Sequence, residues 1–315
     1  MRLLVTGGAG FIGSNFVWYI LKKYSDYKVV NLDALTYAGS LENLKEVKNN
    51  RRHKFVQVRI EDGELVDKLM RDIDVVIHFA AESHVDRSIL EPQVFITTNV
   101  LGTQVLLDAA LRHKLKLFYQ ISTDEVYGAL RLDTKERFAE DSPLRPNSPY
   151  SASKTSADLL VQAYHHTYNM SAVISRCSNN YGPKQHPEKF IPTVILNALH
   201  DKPVPIYGDG LYVRDWIHVL DHCQAIDLIM HKGKSGEVYN IGADNECANI
   251  DLAKRILEIL GKPESLLTSV KDRPGHDRRY AIDSAKLRYK LGWRPSIAFD
   301  EGLAETGHHY SKSVK

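Results

Sequence analysis

The sequence has 315 residues, of which 43% are hydrophobic and 25% charged, which is typical of a globular protein with about two domains. Its net charge of +2 gives no overall field to attract nucleic acid or a membrane surface, and we expect neither as a partner. We find no apolar run of membrane-spanning length and no signal peptide before the first predicted strand, so we expect a cytoplasmic protein. Three widely separated cysteines predict free thiols.

The first predicted element is a short buried strand that breaks into glycines and leads into a helix. Residues 3–5 are apolar, and apolar residues recur at helical spacing over residues 11–21. Between them, Gly7 permits a tight turn, Gly10 lets the backbone approach a pyrophosphate, and Gly13 lets helix and strand pack closely. The helix N-terminus offers unpaired N–H groups to phosphates. This order favours a dinucleotide-binding site over a glycine-rich turn in an ordinary α/β protein.

The apolar run over residues 29–32 predicts a second strand, and Asp33 stands at its end. A carboxylate at this place accepts hydrogen bonds from the ribose hydroxyls of NAD and repels the additional phosphate of NADP. We therefore predict that the cofactor is NAD.

Strand and helix signals alternate through the first half of the chain. Further strands are predicted over residues 55–58, 74–79, 115–121 and 172–175, with helices between them over 64–70, 94–111 and 150–168. This alternation predicts an α/β fold with a doubly wound parallel sheet of the Rossmann type. The carboxyl ends of its strands then meet at one edge.

The alternation weakens after residue 177, where prolines divide a region rich in loops. A helix over residues 216–230 and a strand over 238–241 are predicted to return to the main sheet. We expect a smaller α/β substrate-binding domain that is interleaved with the first. The predicted boundaries are 1–177 and 215–247 for the NAD-binding domain, and 178–214 and 248–315 for the substrate-binding domain.

Residues suited to acid–base chemistry follow the fifth predicted strand. Thr123, Asp124 and Glu125 place a hydroxyl and two carboxyl groups at the carboxyl edge of the sheet. Tyr150 and Lys154 share one face of the next helix. A lysine ammonium and a helix N-terminus both favour a phenolate, so Tyr150 is suited to remove a proton from an alcohol. In isolation, an acidic pair is also typical of a solvated turn, and Tyr-x-x-x-Lys of a helix surface.

The glycine pattern, the Tyr-x-x-x-Lys pair and the split substrate domain resemble the extended short-chain dehydrogenase/reductase family. Within it the likeness is to the dTDP-glucose 4,6-dehydratases and covers nearly the whole chain. Its most specific element is Asp124-Glu125, because related epimerases and decarboxylases usually carry other residues there. The stretches that carry the likeness are residues 33–39, 78–88, 122–128, 176–183, 187–192, 207–210, 214–216 and 272–280.

This resemblance implies an NAD-dependent lyase that converts dTDP-glucose to dTDP-4-keto-6-deoxy-glucose, as in the synthesis of deoxysugars such as rhamnose. The reaction oxidises C4, eliminates water across C5 and C6, and returns the hydride to C6. Tyr150 is implied as the base at the 4-hydroxyl, with Lys154 at the nicotinamide ribose and Thr123 near O4. Glu125 is implied as the base at C5 and Asp124 as the acid at the C6 hydroxyl, which requires that their pKa values differ.

The resemblance also implies the contacts to both ligands, and no metal. The expected NAD contacts are Gly7, Gly10, Phe11, Ile12, Gly13, Asp33, Thr36, Asp62, Ala80, Asn99, Tyr150 and Lys154. The expected substrate contacts are Ser83, His84, Thr123, Asn179, Lys189, Phe190, Pro205, Tyr207, Arg214, Asn249, Arg273 and His276. Arg214 and Arg273 suit a pyrophosphate because guanidinium groups match phosphate oxygens. The long helices over 94–111 and 150–168 are implied to pair across a two-fold axis into the four-helix bundle of a homodimer.

The sequence departs from this family at two places. After the third strand the family usually presents Asp-Ile to the adenine, whereas this chain has Arg59-Ile60, with Asp62 nearby. Near the C-terminus the family usually has a Trp-Tyr pair, whereas residues 306–310 are more polar and Gly307 weakens the helix.

Two alternatives stay open. One is another NAD-dependent sugar-nucleotide enzyme, such as a UDP-hexose 4-epimerase or a decarboxylase, and the other is a non-catalytic NAD-dependent regulator or scaffold. The sequence also leaves open whether thymidine or uridine is preferred, because a single methyl group distinguishes them.

Overall fold

Strand β1 (Arg2–Thr6) lies within a seven-stranded sheet in the computed structural model, which describes residues 1–272 and 276–314. The later strands described are β2 Lys28–Asp33, β3 His53–Gln57, β4 Val75–His78, β5 Leu117–Thr123, β6 Ala172–Cys177, β7 Asn179–Tyr181, β8 Val204–Tyr207, β9 Val213–His218, β10 Val238–Ile241, β11 Glu246–Ala248 and β12 Leu267–Val270. The main sheet has the order β10-β6-β5-β4-β1-β2-β3, and its pairs are parallel. The predicted Rossmann sheet is therefore confirmed.

Helices cover both faces of this sheet because alternate side chains of a strand point to opposite sides. The helices described are α1 Phe11–Lys23, α2 Gly63–Met70, α3 Val85–Leu90, α4 Pro92–Phe95, α5 Thr103–Arg112, α6 Pro149–Tyr168, α7 Phe190–Leu199, α8 Val219–Lys232, α9 Asn249–Ile259, α10 Ala285–Leu291 and α11 Phe299–Val314. Leu3 and Val5 share a core with α1 and α8, whereas Leu4 shares one with α2, α5 and α6.

The strand order reverses at β1, which has β2 on one side and β4 on the other. The register pairs Thr6 with Leu32 of β2 and with His78 of β4, so the loops after these three strands leave the sheet at one edge. Open parallel sheets bind ligands at such a point. The fold therefore directs a ligand to the loops after β1, β2 and β4.

Smaller sheets and a separate core follow β6. Strands β11, β9 and β7 form one sheet, β12 and β8 form a pair, and side chains of α7, α9 and α11 pack around Trp216 and Tyr181. The predicted helix over residues 216–230 is wrong at its start, because Trp216 lies in β9 and α8 begins at Val219. The side chain of His218 accepts a hydrogen bond from the Leu220 N–H at 3.4 Å and so caps α8 after the strand ends.

The predicted helix over residues 94–111 is interrupted by a π-helical turn, Ile96–Gly102, between α4 and α5. The whole of Pro92–Arg112 is long and apolar enough to cross a membrane by length and composition, which corrects our expectation that no run reaches that length. Half of it is buried inside the protein, and core helices pass the same test. Its packing against α2 and α6 accounts for its apolar character.

Candidate active site

The turn after β1 has the geometry that a dinucleotide-binding loop requires. Gly7 has a φ of +70°, and a Cβ there would lie 2.6 Å from the backbone nitrogen of Ala80. A Cβ on Gly13 would collide with the carbonyl oxygen of Gly7, so only glycine lets α1 begin this close to the turn. The N-cap of α1 is Gly10, which has no side chain to satisfy the first N–H groups of the helix. These groups are suited to bind a phosphate.

Asp33 is buried beside this turn, and its carboxylate is held in one orientation. Oδ2 accepts a hydrogen bond from the Ala9 N–H and Oδ1 accepts one from the Leu35 N–H, both at 2.8 Å. Burial raises the pKa of Asp33, and the backbone hydrogen bonds oppose this shift. Each oxygen keeps a further lone pair with which to accept a hydrogen bond from a ribose hydroxyl.

A single cavity joins the glycine turn to the ends of β4, β5 and β6. Its empty volume is about 1580 Å³, including open solvent at its mouth. The predicted ligand-binding residues in its lining are Gly7, Gly10, Phe11, Ile12, Gly13, Asp33, Thr36, Ala80, Ser83, Thr123, Asp124, Glu125, Tyr150, Lys154, Asn179 and Lys189. The structure thus brings the expected cofactor turn and the expected acid–base residues into one space.

Other predicted contacts lie outside this lining. Asp62 caps α2 by accepting a hydrogen bond from the Leu65 N–H at 3.1 Å. Asn99 holds the backbone N–H and C=O of Glu82 at 2.8 and 2.9 Å, and His84 caps α3. Arg273 lies outside the described residues. The remaining predicted contacts belong to the smaller sheets and the elements around them: Phe190, Pro205, Tyr207, Arg214, Asn249 and His276.

The acidic pair enters the cavity on a short 3₁₀ turn, Asp124–Tyr127, at the end of β5. The Thr123 hydroxyl accepts a hydrogen bond from the Glu125 N–H and donates one to Asp124 Oδ1, both at 3.3 Å. Asp124 is 2% exposed, and its burial, followed by the charges of Glu125 and Asp215, raises its pKa well above the usual value. A raised pKa favours the protonated form of this carboxyl group, which is the form that a general acid requires.

The start of α6 fixes the position of Tyr150. Ser148 Oγ accepts a hydrogen bond from the Ser151 N–H, and Ser151 Oγ accepts one from the Ser148 N–H, both at 3.0 Å. This reciprocal pair forms a capping box, and Pro149 occupies the first helical position. Tyr150 is the second residue of this well-defined helix, and its buried side chain lines the cavity.

The electrostatics around Tyr150 differ from our expectation that Lys154 favours the phenolate. Lys154 Nζ donates a 2.8 Å hydrogen bond to the carbonyl oxygen of Ile121. Burial lowers the pKa of Lys154, and the charge of Asp158 opposes this shift. Burial, followed by the charge of Glu125, raises the pKa of Tyr150 well above its usual value. The Lys154 ammonium is thus held against β5, while the charge of Glu125 acts on the Tyr150 phenol. The pKa of Tyr150 is therefore raised, whereas we expected Lys154 to lower it.

A buried ion pair supports this wall of the cavity. Asp158 Oδ2 lies 3.0 Å from Arg176 Nε, and both side chains are 2% exposed or less. The guanidinium also donates a 3.0 Å hydrogen bond to the Tyr127 hydroxyl, which donates one of 2.8 Å to Asn240 Oδ1. Removing either member of a buried pair leaves an uncompensated charge, so this network holds α6, β6 and the acidic turn in register.

Arg214 connects the cavity to the smaller sheets. Its guanidinium donates hydrogen bonds to the carbonyl oxygens of Val213 and Asp277 at 2.8 and 2.9 Å and lies 4.3 Å from the centre of the Tyr280 ring. Its charge opposes the rise in the pKa of Asp124. The charge of Arg214 therefore acts on the acidic turn, although its side chain does not line the cavity.

Comparison with known proteins agrees with this geometry. A family model described as GDP-mannose 4,6 dehydratase matches residues 4–306. The low-salt glycan biosynthesis protein Agl12 of Haloferax volcanii is 52% identical over 310 residues, which are 98% of this chain and 98% of that protein. A dTDP-glucose 4,6-dehydratase of Actinoplanes sp. is 49% identical over 311 residues, which are 97% of this chain and 96% of that one.

A solved structure shows the same fold throughout. DesIV, a dTDP-glucose 4,6-dehydratase from Streptomyces venezuelae with NAD and TYD bound, has a TM-score of 0.96 and 48% identity. The match covers 99% of this chain and 97% of that chain. The present chain belongs to the extended short-chain dehydrogenase/reductase family. The likeness of this family member to the dTDP-glucose 4,6-dehydratases is confirmed over nearly its full length.

Several side chains that line the cavity were not among the predicted site residues, although Arg59 was noted as a departure from the family. Arg59, Glu61 and Glu82 line one end, and Ser122 and Cys177 line the other. Each of them follows or ends a strand of the main sheet, so the carboxyl-edge rule that located Asp124 would also have indicated them. Within residues 1–272 and 276–314, no three His, Cys, Asp or Glu side chains are grouped to hold a metal ion.

Proposed function

We propose that the protein catalyses the NAD-dependent dehydration of dTDP-glucose to dTDP-4-keto-6-deoxy-glucose. The observation that carries this proposal is the pair Asp124 and Glu125, which shares one cavity with Tyr150 and with the glycine turn. Proteins about 50% identical to this chain are named dTDP-glucose 4,6-dehydratase. Because the reaction removes water, an enzyme with this activity is a hydro-lyase. Because the active-site tyrosine and lysine are both present, a purely regulatory role is disfavoured.

The residues present fit NAD. Gly7 and Gly13 leave the space that a Cβ would occupy, the N-terminus of α1 suits the pyrophosphate, and Asp33 suits a ribose. Phe11, Ile12, Thr36 and Ala80 complete this end of the cavity, and Lys154 lies at the other, where the nicotinamide ribose belongs. When bound, NAD accepts the hydride from C4 of the sugar and returns it to C6.

Oxidation at C4 requires a base for the 4-hydroxyl, and Tyr150 has this role. Its phenol is within hydrogen-bond reach of the Thr123 side chain. Thr123 therefore lies where it can also hold the sugar oxygen that loses the proton. Lys154, one turn further along α6, supplies the positive charge that we propose stabilises the deprotonated phenol.

Elimination of water requires a base at C5 and an acid at the C6 hydroxyl. Asp124 is the acid, because its burial raises its pKa and so favours the protonated form. Glu125 is the base, since it is more exposed than its neighbour and the 4-ketone makes the C5 proton acidic. Two adjacent carboxyl groups thus have different roles because their surroundings differ.

The rest of the substrate lies between the main sheet and the smaller sheets. Ser83, Asn179 and Lys189 line the cavity, and Phe190 and Tyr207 belong to the smaller core and its edge. Arg214 keeps its proposed role at the pyrophosphate because a guanidinium matches phosphate oxygens. We keep the predicted division into an NAD-binding domain and an interleaved substrate-binding domain. The boundary at residue 215 moves to 219, because β9 pairs with β7 and β11 and the main fold resumes at α8.

The remaining parts of the proposal concern assembly and location. A homodimer through a four-helix bundle is supported by exposed apolar residues along Pro92–Arg112 and α6, among them Ile96, Leu101 and Leu159. A cytoplasmic location is supported by the free thiols of Cys177 and Cys223, which suit a reducing compartment.

The test is the identity of the product. The protein, loaded with NAD, is incubated separately with dTDP-glucose, UDP-glucose, CDP-glucose and a nucleotide-linked uronic acid. The products are separated and their masses are determined by mass spectrometry. We expect loss of one water from dTDP-glucose and the alkali-induced absorbance of a 4-keto-6-deoxy sugar. A product of unchanged mass that contains galactose would instead establish a 4-epimerase, and loss of carbon dioxide from a nucleotide-linked uronic acid would establish a decarboxylase.

A further inference from the structure

The adenine end of the cavity is located by residues already placed along it. Asp33 ends β2, whereas Tyr150 lies with the end of β5 on the other side of β1. A dinucleotide with a ribose at Asp33 and its nicotinamide at Tyr150 therefore extends its adenine towards β3. Arg59 and Glu61 follow β3 and line the cavity there. This inference rests on NAD as the cofactor of the proposed function.

Glu61 presents an oriented carboxylate at this end. Its Oε1 accepts a 2.9 Å hydrogen bond from the Thr98 hydroxyl and lies 3.6 Å from a guanidinium nitrogen of Arg59. The Glu61 side chain is 14% exposed, whereas that of Arg59 is 55% exposed. The carboxylate is thus a wall of the cavity, and the guanidinium lies at its rim.

The π-helical turn Ile96–Gly102 holds this segment in place. It supplies Thr98, and it lets Ile60 pack against its last residue, where a Cβ on Gly102 would lie 2.5 Å from Ile60 Cδ1. Such turns interrupt α-helices frequently at functional sites. The position of Glu61 is therefore set before any ligand binds, which favours selective recognition.

The chemistry of the two side chains distinguishes their roles. The exocyclic amino group of adenine donates hydrogen bonds, a guanidinium also only donates, and a carboxylate only accepts. The Arg59 guanidinium therefore cannot accept a hydrogen bond from that amino group. We propose that Glu61 recognises the adenine amino group and that Arg59 is a positioning residue that orients the Glu61 carboxylate.

Glu82 is the matched competitor for this role. It also lines the cavity, and its pKa is raised by burial and lowered by the charge of Arg59, so it lies near the same guanidinium. Its backbone is fixed by Asn99, whereas its carboxyl group has no hydrogen bond to the π-helical turn among those described. The substitution Glu82→Gln therefore serves as a control that changes the same charge at the same end of the cavity.

The experiment compares NAD with nicotinamide hypoxanthine dinucleotide, in which a carbonyl oxygen replaces the adenine amino group. The purified holoenzyme is exchanged against an equimolar excess of both, freed of unbound dinucleotide and denatured, and the released dinucleotides are quantified by chromatography. We expect the wild-type protein to retain NAD with a preference of about tenfold or more, because a hydrogen bond to a charged group is lost with the analogue. Glu61→Gln should abolish this preference, since an amide can also donate to the carbonyl oxygen.

The controls separate this inference from its competitors. Arg59→Met should lower the preference by no more than about fivefold, as expected for a partly exposed ion pair, and Glu82→Gln should leave it unchanged. The inference is overturned if Glu61→Gln keeps the wild-type preference, if Glu82→Gln abolishes it, or if Arg59→Met increases it. Retention of neither dinucleotide by the wild-type protein would refute the NAD cofactor itself, whereas equal retention of both would refute only the role of Glu61.

Discussion

Asp124 and Glu125 are neighbours in sequence, yet the structure gives them different surroundings. Asp124 is buried against Asp215 and the Thr123 hydroxyl, whereas Glu125 is only half-buried. At one pH, the first carboxyl group must be protonated to act as an acid and the second must be ionised to act as a base, and such a difference in surroundings makes this possible. Because the role that we propose for Asp124 requires its protonated form, elimination should slow as the pH rises through its raised pKa.

The double substitution Asp124→Asn with Glu125→Gln should separate the two halves of the reaction. It keeps the shape of the turn but removes the acid and the base, so C4 oxidation should continue while elimination slows at least about a hundredfold. Rapid-mixing absorbance should show reduced cofactor accumulating without release of the 4-keto-6-deoxy product. Asp133→Asn, on an exposed turn where Asp133 pairs with Arg131, is the control and should leave both steps unchanged. Water loss at the wild-type rate in the double variant would remove this pair from the mechanism.

The sequence predicted which acid–base residues share the cavity, but it did not predict the direction in which the pKa of Tyr150 is shifted. The spacing of Tyr150 and Lys154 predicted their shared helix face, but burial of both groups depends on how α6 packs against β5 and β6. The hydrogen bond from Lys154 to the Ile121 carbonyl depends on the same packing. The direction of the Tyr150 pKa shift therefore could not be predicted from residues that are close to it in sequence.

Helix α6 carries Tyr150 and Lys154, and its first turn controls where the phenol stands. Ser148→Ala removes one half of the capping box and should lower the free energy of unfolding by about 1 kcal/mol, as measured by denaturant titration. Because Tyr150 lies two residues from this cap, kcat should fall more than KM rises. Ser156→Ala, which removes a hydroxyl bonded to the Ala152 carbonyl on the same helix, should leave kcat unchanged. Equal kcat values for both variants would show that the cap does not position Tyr150.

At the element scale, periodicity predicted where helices and strands occur but not where they are interrupted. Pro92–Arg112 has continuous helical periodicity, yet Ile96–Gly102 adopts a π turn. That turn is coupled to distant residues, since Gly102 packs on Ile60 and Thr98 bonds to Glu61. Contacts of this kind are long-range, so a local pattern does not reveal them.

In the whole molecule, several apolar side chains are exposed on α6 and on the helices beside it. Leu90 is 80% exposed, Ile96 52% and Leu159 51%, and they lie on α3, on the π-helical turn and on α6, which pack against one another. Exposed apolar residues concentrated on neighbouring helices are typical of an interface. The proposed homodimer would bury this face and would also restrain α6 from its outer side.

The double substitution Ile96→Glu with Leu159→Glu tests this assembly. Burying two unpaired carboxylates in an apolar interface is unfavourable, so we expect the dimer dissociation constant to rise at least about a hundredfold. Sedimentation equilibrium should then show a dimer for the wild-type protein and a monomer for the variant at the same concentration. Tyr289→Glu, at a side chain 86% exposed on α10, is the control and should remain dimeric. A monomeric wild-type protein would refute the proposed homodimer, and a variant that stays dimeric would place the interface elsewhere. An active monomer would show that α6 holds Tyr150 without a partner.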